Sequence, residues 1–248
     1  MDGCIISFPV VNESVSVCFP AHNEEKTVRS ILEEAHRLLS SSGLDYEILV
    51  CDDGSTDSTG AIIDDVRQSC PEMRILRHRQ KQGIFITFEE LYAAASKEWV
   101  FLNSTDGQWN TSVLFDLLRL TPTADIIIAS RRGKHYGGLR RVISKAFNAV
   151  PAILFGVKTH DAGAVKLVRR EIISRYRLVS RSPFSEAERI IRATRDGYRV
   201  RIHPVETSPR VSGRSQGGNW RLVLAALVDV ARLWSALRRE PVSPRRVE

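Results

Sequence analysis

The sequence predicts an α/β protein with a mostly parallel sheet and helices on both of its faces. Apolar runs rich in β-branched residues alternate with helical patterns from the N-terminal region to about residue 130. Parallel strands joined by helices form sheets that are covered on both faces. With 248 residues, of which 43% are hydrophobic and 26% charged, the chain is long enough to bury a full core.

The first half of the chain repeats the order strand, loop, helix. SVSVCFP predicts the first strand, and the apolar residues of KTVRSILEEAHRLLSSSG recur at helical spacing before Gly43. YEILVCD predicts the second strand, and a helix follows the Asp-, Gly- and Ser-rich loop 52–60. The remaining segments of this half are strand MRILRH, helix ITFEELYAAASKE, strand WVFLNS, helix TSVLFDLLRL and strand ADIIIASR.

The pattern is looser after about residue 130. AGAVKLVRREIISRY predicts a strand and then a helix, SEAERIIRATRDG a helix, and the alternating YRVRIHPVE a strand. We expect one domain over residues 1–218, an amphipathic helix over 219–240 and a disordered tail over 241–248.

The segment 219–240 combines apolar and basic residues on a strongly helical pattern. Asn219 is an N-cap candidate, and arginines suit the other end of the helix. The apolar run 222–228 is broken by Asp229 and is too short to cross a bilayer. Two interpretations stay open: the helix packs on the domain, or it lies on a membrane surface with its basic residues toward lipid headgroups.

Charge is divided unevenly along the chain. Residues 1–124 hold 10 Lys and Arg against 19 Asp and Glu, whereas residues 125–248 hold 26 against 10. A basic half suits nucleic acid, an anionic membrane surface or a phosphorylated substrate, and charge alone does not choose among them. Because no nucleic-acid recognition motif accompanies the charge, we expect no nucleic-acid partner.

Cysteine usage and the N-terminus bear on the compartment. The four cysteines (Cys4, Cys18, Cys51 and Cys70) show no C-x-x-C spacing and no pairing with histidines, so neither a zinc site nor a disulfide framework is indicated. The N-terminus lacks the basic region and the uninterrupted apolar core of a signal peptide. We therefore expect a cytoplasmic protein.

Three predicted strands end in polar loops, at residues 20–25, 52–57 and 103–108. Ligands of such sheets bind outside the carboxyl ends of the strands, so we expect these loops to lie together. Neither a phosphate-binding P-loop nor a G-x-G-x-x-G fingerprint is present. A nucleotide held without these devices favours a divalent cation, and Asp106 offers a carboxylate to Mg²⁺ or Mn²⁺.

Five stretches of the chain stand out together: SVCFPAHNEE, VCDDGSTDST, STDGQ, ASRR and PRVSGRSQ. In order and spacing they resemble the family 2 glycosyltransferases with the GT-A fold. The resemblance covers about residues 14–218 and is greatest to the dolichol- and polyprenyl-phosphate sugar transferases. It implies an inverting transfer from a UDP- or GDP-sugar to an acceptor, with a nucleotide-binding half over about 14–130 and an acceptor half over 131–218.

The resemblance also implies site residues in the nucleotide-binding half. The family's D-x-D-x-Q motif corresponds to residues 104–108, so Asp106 is the implied metal ligand and Gln108 is assigned to the catalytic set. Ser104 replaces the first aspartate of the motif, and a neutral hydroxyl should weaken metal affinity. The implied nucleotide-binding residues are Pro20, Ala21, His22, Glu24, Asp52, Asp53, Ser104 and Asp106.

Basic residues of the second half are the implied acceptor contacts. Arg131 is the first candidate, because a planar guanidinium binds phosphate oxygens in a bidentate manner. Asp161 is the best-placed acid for taking a proton from a hydroxyl acceptor. The implied acceptor and phosphate contacts are Arg131, Arg140, Arg141, Ser144, Arg210 and Ser215.

The acceptor itself stays open. The basic second half and the C-terminal helix favour a polyprenyl or dolichyl phosphate, with possible peripheral membrane contact through 219–240. The sequence carries no transmembrane helix, which favours a soluble hydroxyl acceptor instead. A third alternative, a nucleotide-sugar binding module with little turnover, is suggested by Ser104.

Overall fold

The structure is a computed structural model that describes residues 13–131, 149–159, 163–207 and 220–240. Within these residues, seven strands form one sheet flanked by helices. The strands are β1 (Ser14–Ala21), β2 (Asp45–Asp52), β3 (Met73–Arg77), β4 (Trp99–Leu102), β5 (Ile126–Arg131), β6 (Lys166–Arg169) and β7 (Val200–Val205). The helices are α1 (Val28–Ser40), α2 (Thr59–Ser69), α3 (Ile84–Ala94), α4 (Val113–Leu118), α5 (Arg170–Arg175), α6 (Ser185–Arg195) and α7 (Trp220–Arg239). Residues 149–155 are also helical.

The sheet is mostly parallel, and the predicted fold class is confirmed. Its strand order is β3-β2-β1-β4-β6-β5-β7. Strands β1, β2, β3 and β4 run parallel to one another, and β5 runs parallel to β7. The exception is β6, which lies antiparallel between β4 and β5. The direction of β6 could not be predicted, because the apolar run around KLV reads the same for either orientation.

Helices cover both faces of the sheet. On one face the buried residues of α1, α2 and α4 pack on inward side chains such as Val17 and Phe101, in a large core that also includes buried residues of α6 and α7. On the other face a smaller core joins Leu91 and Tyr92 of α3 to Cys18, Val100 and Leu102, and Glu186 of α6 meets Tyr92 on this side. Helices therefore exclude solvent from both faces of the sheet, which accounts for the apolar sequences of the strands.

The C-terminal helix α7 packs on the domain. Ala226, Val230 and Leu233 are buried in the main core, and the buried carboxylate of Asp229 accepts a 2.9 Å hydrogen bond from the Arg181 amide. The prediction that this helix packs on the domain is therefore confirmed for one of its faces. In the part of the chain that the structure describes, no helix has the length and apolar character that crossing a bilayer requires. Asn219 and the tail 241–248 lie outside the described residues.

Candidate active site

The three polar loops meet at the carboxyl edge of the sheet, as expected. The Thr105 hydroxyl donates to the carbonyl of Pro20 at 2.7 Å, and the Thr27 hydroxyl donates to the carbonyl of Thr105 at 2.7 Å. The Asp53 amide donates to the carbonyl of Ala21 at 2.8 Å. Because β1 lies between β2 and β4, its loop is bonded to both of the others.

Further hydrogen bonds fix the loop after β1 to the loop after β2. Asn23 adopts a positive φ of 55° and accepts a 2.9 Å hydrogen bond from the Thr56 amide. The His22 Nδ1 donates to the carbonyl of Asp53 at 2.9 Å, and the Glu24 amide donates to the Thr59 hydroxyl at 2.8 Å. The asparagine in left-handed conformation turns the chain sharply, so this edge of the site is preorganised.

Asp52 has a local structural role in this loop. Its Oδ1 accepts a 3.0 Å hydrogen bond from the Ser55 amide, and its side chain is buried. A Cβ at Gly60 would lie 2.9 Å from the Asp52 Oδ2, and one at Gly54 would lie 2.5 Å from the backbone of Gln80. Gly54 therefore permits the close approach of the loops after β2 and β3, and Gly60 leaves room for the Asp52 carboxylate.

Asp53 is held by three donors from the segment after β3. Its Oδ1 accepts from the His78 Nδ1 at 2.7 Å and from the Gln82 amide at 2.6 Å, and its Oδ2 accepts from the Gly83 amide at 2.9 Å. Burial alone would raise the pKa of Asp53, but these hydrogen bonds outweigh burial and lower the pKa below its usual 3.8. Asp53 is therefore a fixed anion at the edge of the site.

His78 links Asp53 to a second carboxylate. Its Nε2 lies 2.8 Å from the Oε2 of Glu90, so both ring nitrogens donate when the imidazole is protonated. Burial lowers the pKa of His78, yet the hydrogen bonds to Asp53 and Glu90 outweigh burial and raise the pKa above 6.5. The three side chains form a charge-assisted chain that runs into an open cleft of about 570 Å³. The cleft is lined by His78, Arg79, Gln80, Gln82, Ile86 and Glu90.

Asp106 lies at the end of β4 in a tight turn. Its Oδ1 accepts a 3.1 Å hydrogen bond from the Gln108 amide, and its own amide donates to the Ser104 hydroxyl at 3.3 Å. Gly107 between them has a φ of 74°. The side-chain donors here are carboxylate and hydroxyl oxygens, and oxygen ligands are the ones that Mg²⁺ and Mn²⁺ prefer. The residues present therefore fit a hard divalent cation, with one protein carboxylate rather than two.

Arg131 lies beside the turn that carries Asp106. It is the last residue of β5, and its guanidinium carbon is 5.9 Å from the ring centroid of Trp109. Trp109 follows Gln108 directly and is buried. A cation over an indole face is a favourable contact, so Trp109 ties the candidate phosphate ligand to the candidate metal loop.

Several predicted site residues lie outside the described residues, and their roles stay predictions. They are Arg140, Arg141, Ser144, Asp161, Arg210 and Ser215. The described candidates, by contrast, are all at the carboxyl edge. They are Pro20, Ala21, His22, Glu24, Asp52, Asp53, Ser104, Asp106, Gln108 and Arg131.

Sequence reasoning missed His78 and Glu90. The strand MRILRH ends in His78, so the same argument that selected the other strand ends applies to β3, which neighbours β2. Glu90 gives no such signal, because it is one of several acids on a helix. The sequence showed no pairing of cysteines with histidines, yet the Cys51 Sγ lies 3.8 Å from the His78 Nε2.

A buried ionic cluster lies beneath this edge on the α3 side. The Lys166 Nζ is 2.7 Å from the Oε2 of Glu186, and the Tyr92 hydroxyl donates to the same oxygen at 2.9 Å. Lys166 is in register with Leu102, the last residue of β4. The cluster therefore supports the strand end that leads into the Asp106 turn.

Relatives of the chain are glycosyltransferases. AglD of Haloferax volcanii, a glycosyltransferase, is 27% identical over 247 residues, which cover 94% of this chain and 39% of AglD. The chain thus spans about two fifths of that relative. An uncharacterised glycosyltransferase of Mycobacterium bovis is 25% identical over 225 residues, covering 89% of this chain and 97% of the relative.

Solved structures share the fold. Glucosyl-3-phosphoglycerate synthase from Mycobacterium tuberculosis, in complex with Mn²⁺, UDP and phosphoglyceric acid, superposes with a TM-score of 0.72 at 18% identity, covering 90% of this chain and 78% of the synthase. The mannosyltransferase PcManGT from Pyrobaculum calidifontis, in complex with GDP-Man and Mn²⁺, gives 0.62 at 19% identity, covering 94% and 66%. A further complex of the synthase holds Mg²⁺ and UDP.

These neighbours show that the sheet and its helices form a GT-A-like fold. The expectation of Mg²⁺ or Mn²⁺ agrees with the ions that they hold. A family model described as glycosyl transferase family 2 matches residues 16–186, which is more than half of the chain. The chain belongs to glycosyl transferase family 2.

Proposed function

We propose that this family member transfers a sugar, with inversion, from a UDP- or GDP-sugar to a polyprenyl or dolichyl phosphate. The observation that carries the proposal is the placement of Asp53, Asp106 and Arg131 at one edge of the sheet, with Arg131 tied to the Asp106 turn through Trp109. Donor, cation and anionic acceptor each have a candidate ligand there.

The donor nucleotide would lie against the loops after β1, β2 and β3. Asp53 is a fixed anion that can accept a hydrogen bond from a base or a ribose, and the cleft beside His78 has space for a ring. The hydrogen bonds that join residues 20–24 to 53–59 hold this surface before any ligand arrives, which lowers the entropic cost of binding.

The diphosphate would extend toward Asp106. Asp106 and Ser104 are the residues that would hold a divalent cation. A bound Mg²⁺ or Mn²⁺ supplies positive charge to the departing diphosphate. Asp106 itself is oriented by the Gln108 amide, so its carboxylate is positioned without a large rearrangement.

Arg131 would orient the acceptor. In the transfer, an acceptor oxygen forms a bond to the anomeric carbon while the bond from that carbon to the diphosphate breaks on the opposite face. A lipid phosphate already carries a negative charge, so no general base is required. A hydroxyl acceptor would require a carboxylate to take its proton, and Asp161 is the predicted residue for that case.

The outer face of α7 supports a lipid acceptor. Leu224, Leu227, Val228 and Trp234 are between 40% and 53% exposed although the opposite face of the helix is buried. The guanidinium of Arg238 lies over the Trp234 ring, 3.4 Å from its centroid. An apolar stripe edged by arginines suits the boundary between acyl chains and anionic headgroups.

Two measurements test the proposal. The first follows transfer of labelled sugar from UDP- and GDP-sugars with Mn²⁺ to a short polyprenyl phosphate, with the matching polyprenyl alcohol and a soluble alcohol as controls. We expect product only with the phosphate. Product on the alcohols alone would overturn the lipid-phosphate acceptor, and nucleotide binding without any transfer or hydrolysis would favour a binding module.

The second measurement is co-sedimentation with vesicles. We expect binding to phosphatidylcholine vesicles that contain an anionic lipid and weaker binding at high salt, because the headgroup attraction is screened. No binding to these vesicles at low salt would contradict the membrane contact through α7.

A further inference from the structure

A second cluster of metal-ligating side chains lies at the opposite edge of the sheet. His36 is near the end of α1, Cys70 follows α2, and Glu72 precedes β3. Because Ile48 of β2 is in register with Met73, these residues lie beside the amino ends of β2 and β3. The candidate active site is at the carboxyl ends of the same strands, so the two sites are separate.

The donor atoms of this cluster face one another without hydrogen bonds of normal length. The His36 Nδ1 is 3.9 Å from the Glu72 Oε2, and the Cys70 Sγ is 3.9 Å from the same oxygen. The His36 Nδ1 is buried and has no hydrogen-bond partner among the described residues. A buried polar atom without a partner is costly, so this nitrogen would gain from coordinating a ligand.

The spacing suits an ion between the three atoms. All three donor atoms lie within 4.8 Å of one another. A tetrahedral Zn²⁺ site, with bonds of about 2.0 Å to nitrogen and oxygen and about 2.3 Å to sulfur, places its ligand atoms about 3.3–3.6 Å apart. The contraction needed is small, and the partly exposed side chains of His36 and Glu72 can supply it.

We propose that His36, Cys70 and Glu72 bind Zn²⁺ or a similar transition metal. A thiolate, a carboxylate and a neutral imidazole neutralise the charge of a divalent ion, which favours binding in a partly buried place. The mixed sulfur, nitrogen and oxygen set selects against Mg²⁺ and Mn²⁺, the ions that suit the oxygen ligands near Asp106. Binding releases the Cys70 thiol proton to solvent.

A comparable group, Cys51, His78 and Glu90, does not call for an ion. Its donor atoms also lie within 4.8 Å of one another. However, both ring nitrogens of His78 already bond to carboxylates, at 2.7 and 2.8 Å. A proton on His78 therefore satisfies both of its ring nitrogens, whereas the Nδ1 of His36 has no hydrogen-bond partner among the described residues. Sequence spacing gave no sign of either group, because their members come from separate elements.

Cobalt spectroscopy of the full chain tests the proposal. The chain is kept reduced with a phosphine, which competes weakly for metals, and is titrated with Co²⁺. We expect a sulfur-to-cobalt charge-transfer band that saturates at one equivalent and is displaced by Zn²⁺. Absence of this band from the wild-type chain would overturn the proposal.

Variants locate the site. Cys70→Ser should abolish the band, and Glu72→Gln and His36→Gln should each weaken Co²⁺ binding by about tenfold or more. Matched controls are Cys51→Ser, which removes the thiol of the comparable group, and Asp106→Ala, which removes the candidate catalytic ligand. Both should keep the band, and its loss in Cys51→Ser with retention in Cys70→Ser would overturn the assignment.

A thermal measurement covers the case in which Cys70→Ser fails to fold. His36 is partly exposed, so His36→Gln should fold normally. Zn²⁺ should raise the melting temperature of the wild-type chain more than that of His36→Gln, whose weaker site gives a smaller shift at the same Zn²⁺ concentration. An equal rise in both chains would contradict the proposal, and neither readout depends on glycosyl transfer.

Discussion

The carboxylate of Asp53 accepts a 2.7 Å hydrogen bond from the Nδ1 of His78, whose other ring nitrogen lies 2.8 Å from Glu90. Asp53, the implied contact of the nucleotide, is therefore oriented by an imidazole that a second carboxylate also bonds. Hydrogen bonds that involve an ionised partner are stronger than neutral ones, contributing about 1.5–3 kcal/mol each. The orientation of Asp53 thus depends on the protonation state of His78.

Stability should depend on pH through His78. Its pKa is raised on folding, so the stabilisation is complete below the unfolded value of 6.5 and is lost as pH rises through the folded pKa. We expect the difference in unfolding free energy between wild type and His78→Gln to shrink over that range in urea titrations. A difference that stays constant with pH would contradict this account.

Donor binding should also weaken when His78 is replaced. Without the imidazolium, Asp53 keeps the two backbone donors from Gln82 and Gly83 but loses its charged partner. We expect His78→Gln to raise the Kd for the nucleotide about tenfold, corresponding to about 1.4 kcal/mol, with a smaller effect on kcat. Asp53→Asn should have an effect at least as large, as measured by calorimetry with UDP and GDP. Unchanged affinity in both variants would place the nucleotide elsewhere.

The sequence predicted the fold and the edge that carries the site, but not the links within that edge. Strand ends such as 52–57 and 103–108 were recognisable because a polar loop interrupts an apolar run. The contact between Asp53 and His78 was not, because it depends on β3 lying beside β2. The antiparallel direction of β6 could not be predicted either, because the apolar pattern of a strand is the same in both directions. Pairing and direction are tertiary properties that local patterns do not encode.

Metal affinity should respond to Ser104. Its hydroxyl accepts a 3.3 Å hydrogen bond from the Asp106 amide, so an aspartate at position 104 would add a second carboxylate close to Asp106. Without metal, the like charges of Ser104→Asp should lower stability, whereas Mn²⁺ should bind about tenfold more tightly. Asp106→Ala should abolish the Mn²⁺-dependent part of the thermal shift with nucleotide. If Mn²⁺ shifts Asp106→Ala as much as wild type, the ion is held elsewhere.

The exposed face of α7 gives a prediction about membranes. Leu227 is 53% exposed, so Leu227→Glu should change folding stability by only about 0.5 kcal/mol or less. It should nevertheless reduce co-sedimentation with anionic vesicles, because it places a charge in the apolar stripe. The control is Arg119→Glu, which changes charge at an exposed position near α4, away from α7. Equal vesicle binding by Leu227→Glu and wild type would show that α7 is not the contact.

The buried pair of Lys166 and Glu186 should be costly to break. Each side chain is at most 3% exposed, and their charged atoms are 2.7 Å apart. Lys166→Met removes the cation and leaves a buried carboxylate with the Tyr92 hydroxyl as its hydrogen-bond donor among the described residues. Breaking a buried pair in this way typically costs about 3–5 kcal/mol.

A solvent-exposed ion pair is the matched control for this buried pair. Arg29 and Glu33 on α1 are 46% and 53% exposed, so Arg29→Met should leave the urea midpoint close to that of wild type. The double variant Lys166→Met/Glu186→Leu should recover only part of the loss, because Glu186 is no longer buried without Lys166 but the buried Arg189 then loses Glu186 and keeps Glu89 as its partner. Urea unfolding of the four chains checks this ordering. If Lys166→Met unfolds at the same midpoint as Arg29→Met, the cluster does not stabilise the strand end that leads to Asp106.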